Sequence, residues 1–420
     1  MARPAAQDCP MTTLPTAPNP SGTASTLPAL PTLPALPPPA LPGQPLRAVD
    51  TPALVLDLDA FARNLERMQS ACDRAGVQLR PHAKAHKCPD IALAQVARGA
   101  VGICCQKVSE ALPFVAAGIR DLHVSNQVVG GSKLALLAAL ARHAHLSVCV
   151  DDARQVEALA EACATAGSRL SVLVEIDIGQ GRCGVADGTA ALRLVEAIDR
   201  HPQLVFRGLQ AYHGGIQHLR GHGERREAAA RAAQRTAAAL RILQGAGVRS
   251  EVVTGGGTGS VEFDLASGVY TELQPGSYVF MDADYGRNQG AAAADGLRFE
   301  HSLFLAATVM SVAAASRAEP RVIVDAGLKS VATDSGLPLP WRDGARDGRL
   351  DYLAANDEHG IVAPAAGAGA GADALPALGE QMLLVPGHCD PTLNLYETLV
   401  TVRGGTVAGL WPVAARGHSR

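Results

Sequence analysis

The chain has no uninterrupted run of the roughly 18 apolar residues that a membrane helix takes, so no span is expected. Aromatics are scarce, at 4% of residues, and with 47% apolar content the core must be built from Ala, Leu and Val. No sign of charge dominates. A formal net charge of -3 gives no reason to expect nucleic acid or an anionic membrane as partner. The nine cysteines form no CxxC and no regular spacing, which excludes a disulfide scaffold and favours reduced thiols in a cytoplasmic protein. No GxGxxG follows the first barrel-type strand, which weakens a dinucleotide-binding sheet.

What is present is uneven along the chain. The first 47 residues hold 13 of the 27 prolines, favour extended polyproline II and cannot build a core. They lack a basic segment followed by apolar residues, so a disordered leader is expected rather than a secretory signal. At 420 residues, two further domains are the natural expectation: a barrel over 48–290 and a β domain over 291–420.

Past residue 58, short apolar runs alternate with helical patterns. The opening helix, 59–75, carries Phe61, Leu65, Met68 and Cys72 at helical spacing and stops at Gly76. Eight strand candidates follow, at 78–83, 100–105, 121–126, 146–151, 171–178, 206–213, 250–255 and 272–280. Eight strands with intervening helices are the tally of an α/β fold, a (β/α)8 TIM-type barrel. An open doubly wound sheet is the runner-up. From 300 onward the pattern turns to alternating β-prone runs, with Gly404-Gly405 reading as a hairpin and 341–375 as long loops. The early run ALVLDL, 53–58, precedes the barrel and can join the β domain.

Functional groups of such a barrel collect where strands end. RPHAKAHK, 80–87, places Lys84 at the end of the first strand, where an amine can form a Schiff base with a carbonyl cofactor, above all pyridoxal 5'-phosphate (PLP). Gln106, Asn126, Asp151, Arg182 and the pair Tyr212-His213 end the next five strands. TGGGTGS, 254–260, follows the seventh, and its glycines can turn backbone N–H groups onto a phosphate while Thr258 adds a hydroxyl. Gly276-Ser277 offers a second phosphate contact after the eighth, with Tyr285 just beyond.

His82 and His86 read as ligands, bases or hydrogen-bonded structural residues. His213 could lie beside a cofactor ring, His218 could act as a base, and His359 has no decided role. In PGHCDP, 386–391, His388 and Asp390 sit two apart on an expected strand end, so both side chains would point one way and Cys389 the other. An imidazole and a carboxylate suit a divalent metal, Mn2+ or Mg2+ as readily as Zn2+, and leave positions for water and substrate.

Taken together, RPHAKAHKCPDIA, GICCQKVSEALPFVAAGIRDLHVSN, GQGRCGV, LQAYHG, TGGGTGSVEFDLASGVYTELQPGSY, FMDADYGRN, VDAGLK and PGHCDPTLNLYE resemble the D-threonine aldolase family. The wider group includes 3-hydroxy-D-aspartate aldolases and eukaryotic D-serine dehydratases. The resemblance implies an alanine racemase-like fold (PLP fold type III), a PLP-bearing barrel and a C-terminal β domain. It makes Lys84, and not Lys87, the Schiff-base lysine. It assigns Gln106, Thr258, Gly276, Ser277 and Tyr285 to holding the cofactor and Arg182 and Tyr212 to lining its ring. His388 and Asp390 become the metal ligands, and His218 matches a proposed base position.

The implied reaction is retro-aldol Cα–Cβ cleavage of a D-3-hydroxy amino acid, D-threonine giving glycine and acetaldehyde, in a homodimer. Dehydratases of the group carry cysteine as the second metal ligand, so Asp390 favours the aldolases. Three alternatives stand beside this reading: β-elimination of the D-serine dehydratase type, 3-hydroxy-D-aspartate as the main substrate, and a non-catalytic PLP-handling protein.

Overall fold

Strand β1 (Ala53–Asp57) runs directly into helix α1 (Leu58–Ala75). Asp57 supplies the boundary: its carboxylate accepts the N–H groups of Asp59 and Ala60, two donors that the first helical turn leaves unpaired. Gly76, in the left-handed region at φ 65°, closes the helix, and Phe61, Leu65, Met68 and Cys72 form its buried stripe. The computed structural model describes residues 35–290, 296–316, 319–367 and 371–420.

Eight parallel strands follow: β2 (Gln78–Leu79), β3 (Ile103–Cys105), β4 (Asp121–Gln127), β5 (His145–Val150), β6 (Leu170–Glu175), β7 (Leu204–Ala211), β8 (Val252–Gly255) and β9 (Glu272–Leu273). Each lies within or across an expected strand. Between them run α2 (Pro89–Ala97), α3 (Val108–Ala116), α4 (Gly131–Leu140), α5 (Ala153–Ala166), α6 (Gly188–Ile198), α7 (His222–Gly245) and the short α8 (Val261–Ala266). Neighbours pair in the order β2-β9-β8-β7-β6-β5-β4-β3. The ring closes where the N–H groups of Val101 and Cys104 donate to the carbonyls of Leu79 and Pro81, with a parallel bridge between His82 and Cys104. The barrel reading stands.

Low in the barrel, Arg80 is buried between Glu272 at 2.9 Å and Asp121 at 2.6 Å. Removing one partner of a buried ion pair leaves a charge without compensation. Glu272→Ala is therefore expected to destabilise the fold by about 3–5 kcal/mol, lowering the midpoint of a thermal melt. An unchanged midpoint would contradict this.

After α9 (Ala283–Gly286) the chain builds a mixed ten-stranded sheet from β10 (Leu303–Ser311), β11 (Val322–Val324), β12 (Leu339–Arg342), β13 (Ala345–Arg346), β14 (Leu350–Ala355), β15 (Gly360–Pro364), β16 (Gln381–Val385), β17 (Thr398–Arg403), β18 (Thr406–Pro412) and β1 itself. β1 lies between β10, antiparallel, and β17, parallel, so the barrel is entered from a strand of the other sheet. Gly404 and Gly405, at φ 54° and 76°, form the tight turn between β17 and β18.

Two expectations are corrected. Residues 341–375, expected as loops, contain β13, β14 and β15, because Leu350, Tyr352 and Val362 bury their side chains in the core while the intervening Gly, Ala and Asp mask the alternation. Part of the stretch expected as disordered leader, within residues 35–47, is held in place. Residues 1–34 lie outside the described residues, but Ala40 is buried, and the N–H groups of Gly43 and Leu46 donate to Val407 and Gly405 of the hairpin. Backbone pairing, to which composition is blind, holds this stretch. Residues 39–420 form one compact unit, with one apolar core running from the barrel into the second sheet. Among the described residues no helix is long and apolar enough to cross a membrane.

Candidate active site

The carboxyl ends of the barrel strands surround a cavity of about 170 Å³. Lys84, Gln106, Arg182, Tyr212, Thr258, Gly276, Ser277 and Tyr285, eight residues from six separate segments, all line it. Lys84 stands in a single 3-10 turn, Ala83–Ala85, at the mouth of β2. His82 caps that turn: its Nδ1 accepts the Lys84 N–H at 3.4 Å, so its Nε2–H donates to Gln106 Oε1 at 3.2 Å and Ser125 Oγ at 3.1 Å. Burial, reinforced by the Lys84 ammonium, holds the His82 pKa down at about 3. His86 is buried as well, accepts the Cys88 N–H at Nδ1 and is likewise depressed to about 3 by burial. Burial thus favours the neutral form of both histidines, with His86 packed away from the cavity and His82 on its wall. Lys87 is drawn aside by the buried Glu110, at 2.5 Å, whose carboxylate also accepts the Gln106 N–H. Of the two lysines, Lys84 lines the cavity and Lys87 does not.

Opposite the lysine, the loop after β8 is built for close approach. A Cβ on Gly256 would lie 2.5 Å from Asp264 Oδ2, and one on Gly257 2.6 Å from Gln217 Oε1, so larger residues would spread the turn. Thr258 Oγ1 accepts the Tyr278 N–H at 3.0 Å, tying this loop to Gly276-Ser277 and leaving the hydroxyl proton free to donate into the cavity. Arg182 lies over the Tyr212 ring, 5.4 Å from its centroid. Its loop is pinned by Asp151, which accepts the Gly184 N–H at 3.0 Å. An amine, a glycine cradle after the seventh and eighth barrel strands and an arginine–tyrosine wall are a donor set that fits PLP.

Asp390, beyond β16 of the second sheet, is not itself a lining residue of the cavity, but its Oδ2 pairs with Lys84 Nζ. Burial alone would raise the Asp390 carboxyl, but the lysine overrides it and holds the pKa at about 2. The same attraction raises Lys84. The expected strand geometry of PGHCDP is corrected here. β16 stops at Val385, His388 caps the short helix α10 (Cys389–Leu393), and Asp390 lies in its first turn. Pro386 and Gly387 end the strand, so helical geometry rather than a pleat sets the two side chains. Cys389 Sγ is 3.4 Å from Asp390 Oδ1, so the cysteine does not simply point away. His388 Nδ1 lies 2.7 Å from Asp334 Oδ2, and among the described residues no hydrogen bond engages Nε2. An imidazole with one nitrogen on a carboxylate and the other unengaged fits a metal ligand. Among the described residues, no cluster of three or more His, Cys, Asp or Glu side chains has a metal-holding arrangement.

His218, exposed, lies beside the Tyr285 ring at 5.9 Å and contacts Asp284 Oδ2 through Nδ1 at 2.6 Å. Asn126, His213, His218, His359 and His388 do not line the cavity. Asn126 caps its own neighbour's N–H, His213 packs by Gly179, and His359 is exposed in the turn between β14 and β15.

The chain as a whole is similar to known proteins. Residues 56–284 match the alanine racemase N-terminal domain family, and 302–402 a putative serine dehydratase domain. The chain is 55% identical to a D-threonine aldolase of Arthrobacter sp, over 91% of this chain and 97% of that one. The chain belongs to the D-threonine aldolase family. Membership makes it a carbon–carbon lyase of the aldolase type on the alanine racemase-like fold. A 3-hydroxy-D-aspartate aldolase of Paracoccus denitrificans is 42% identical over 90% of this chain and 95% of its own length. The crystal structure of D-threonine aldolase from Filomicrobium marinum superposes with a TM-score of 0.85 at 50% identity, covering 91% of this chain and all of that one.

Sequence reasoning missed the carboxylates and amide that support the residues around the cavity. Asp282, fully buried, accepts the Tyr285 N–H at 2.9 Å and the Cys389 N–H at 3.0 Å, joining the cavity wall to α10. Gln217 accepts the Gly259 N–H and donates to Ser260 Oγ, tying the loop of His218 to the glycine turn. Asp264 accepts Ser260 Oγ–H at 2.5 Å, and burial pushes its pKa up to about 7. A carboxyl raised on folding stabilises fully below its unfolded pKa near 4, and that contribution is lost as pH rises through the folded value near 7. Asp264→Asn is thus expected to gain in thermal midpoint over the parent as pH goes from 5 to 8.5. Parallel melting curves across that range would contradict this.

Proposed function

We propose that this chain is a PLP- and divalent-metal-dependent lyase that cleaves Cα–Cβ of D-3-hydroxy amino acids, D-threonine giving glycine and acetaldehyde. The observation that carries the reading is the contact between Lys84 Nζ and Asp390, which brings a metal-type ligand against the lysine that lines the cavity. Lys84 would hold the cofactor, with Gln106, Thr258, Gly276, Ser277 and Tyr285 about it and Arg182 and Tyr212 along its ring. PLP, when bound, supplies an electron sink for the pair left on Cα. A divalent ion held by His388 and Asp390 supplies Lewis acidity at the substrate β-hydroxyl.

The chain's own groups then have distinct tasks. Burial would raise the Asp284 carboxyl, but Arg220 and His218 bring it below the usual carboxylate range, so it remains an acceptor. With Nδ1 on that carboxylate, His218 presents Nε2 as a base for the β-hydroxyl proton. As that proton leaves, Cα–Cβ breaks, the aldehyde departs and Cα takes a proton to become glycine. Asp390 and Lys84 pair beside the cavity, and the half-buried Tyr212 and Tyr285 on its wall limit water there. The proposed partner is a small-molecule substrate. Mn2+ as the metal and a homodimer rest on the family resemblance, and a cytoplasmic location rests on the free thiols of the described cysteines.

Product analysis with cofactor-loaded protein tests this. D-threonine should yield glycine and acetaldehyde in equal amounts, with L-threonine untouched. Formation of 2-oxobutanoate and ammonia instead would move the protein to the dehydratases, a reading that the serine dehydratase match over 302–402 keeps in play.

A further inference from the structure

The loop Thr333–Gly336 leans on the turn that carries His388, and nothing in the reaction described above uses it. Its Asp334 carboxylate stands 2.7 Å from His388 Nδ1, with Ser335 Oγ at 3.4 Å from the same nitrogen. A carboxylate of this kind only accepts, so the proton of a neutral His388 must sit on Nδ1 and the lone pair on Nε2.

Two further contacts fix the loop in this place. A Cβ on Gly387 would lie 1.9 Å from the Gly336 carbonyl oxygen, so the two turns are in backbone contact that only glycine permits. Arg287 uses one nitrogen, Nη2, to donate to the Ser335 carbonyl at 2.5 Å and to Asp284 Oδ1 at 2.6 Å. Asp284 is the residue that holds His218. One guanidinium therefore connects the loop that carries Asp334, through the Ser335 carbonyl, with the carboxylate behind His218.

We propose that Asp334 is a positioning residue for the metal site: it fixes the tautomer and ring orientation of His388, so that Nε2 is presented to a divalent cation, while Arg287 keeps the loop in register with the His218–Asp284 pair. The proposal rests on the reading of His388 as a metal ligand. Carboxylates behind ligating histidines raise ligand basicity and hold the ring, and their loss costs about 10–100-fold in metal affinity.

The test measures Mn2+ binding directly, by the electron paramagnetic resonance of free Mn2+ in titrations of the full-length protein, and needs no turnover. His388→Ala, Asp334→Ala and Asp334→Asn are compared with the parent, with thermal melts of each. The expected result is a tenfold or larger rise in Kd for Asp334→Ala, a smaller one for Asp334→Asn, which retains an amide oxygen as acceptor, and melts close to the parent. Parent-like Kd in both Asp334 variants alongside weakened binding in His388→Ala would overturn the positioning role and leave the metal ligand standing. Parent-like Kd in His388→Ala would overturn the ligand assignment itself, and the inference with it. A purely structural role predicts a lowered melting midpoint with unchanged Kd, which would also reject the proposal.

Discussion

Lys84→Ala is expected to reduce kcat on D-threonine by roughly 10³-fold or more and to remove the visible absorbance of the bound cofactor. Lys84 is the lysine that lines the cavity, and its amine has no substitute within the turn. Arginine cannot replace it, because a guanidinium does not give up its proton to become a nucleophile. The neighbouring Lys87 provides the control. Its ammonium is held by Glu110, which also accepts the N–H groups of Gln106 and Lys107. Lys87→Ala should therefore keep the cofactor absorbance and lower the thermal midpoint instead. Retention of absorbance in Lys84→Ala together with its loss in Lys87→Ala would reverse the assignment.

The second large effect belongs to Asp390. Asp390→Ala removes a ligand of the proposed metal and the partner of Lys84 together. The loss in metal-dependent kcat is expected at roughly 10²–10³-fold, comparable to loss of a strong transition-state electrostatic contact. Cofactor binding should survive, because Asp390 raises the Lys84 pKa, and its removal makes the free amine more available at a given pH. Faster cofactor loading near pH 8 with little aldehyde production is the signature. Activity equal to the parent after metal addition would contradict the ligand role of Asp390.

The barrel was legible because each of its strands is a short apolar run closed by a polar strand end, and because Asp57 and Gly76 mark the ends of the first helix as local chemistry dictates. The cavity residues were legible for the same reason: a strand end in a barrel is a position, not merely a residue type. Other features depend on pairing between distant segments. Nothing in ALVLDL shows that β1 lies between β10 and β17, and nothing in 341–375 shows that Leu350, Tyr352 and Val362 share a core. His388 and Asp390 were found by spacing while their backbone was misread, since Pro386-Gly387 ends a strand and also precedes a helix equally well. Asp284 and Asp334 carry no local signal, because they act through partners 66 and 54 positions away, and Asp282, locally a helix cap, gains its link to Cys389 from 107 positions on. The motif alone had left His82 and His86 open, and only burial showed them to be neutral.

The most direct test of the account is acetaldehyde release from D-threonine by purified, PLP-loaded protein, measured after EDTA treatment and again after adding Mn2+. The account predicts little aldehyde after EDTA, and recovery with Mn2+ to acetaldehyde equimolar with glycine. Undiminished release without metal, or none in either condition while the cofactor absorbance is intact, would contradict it.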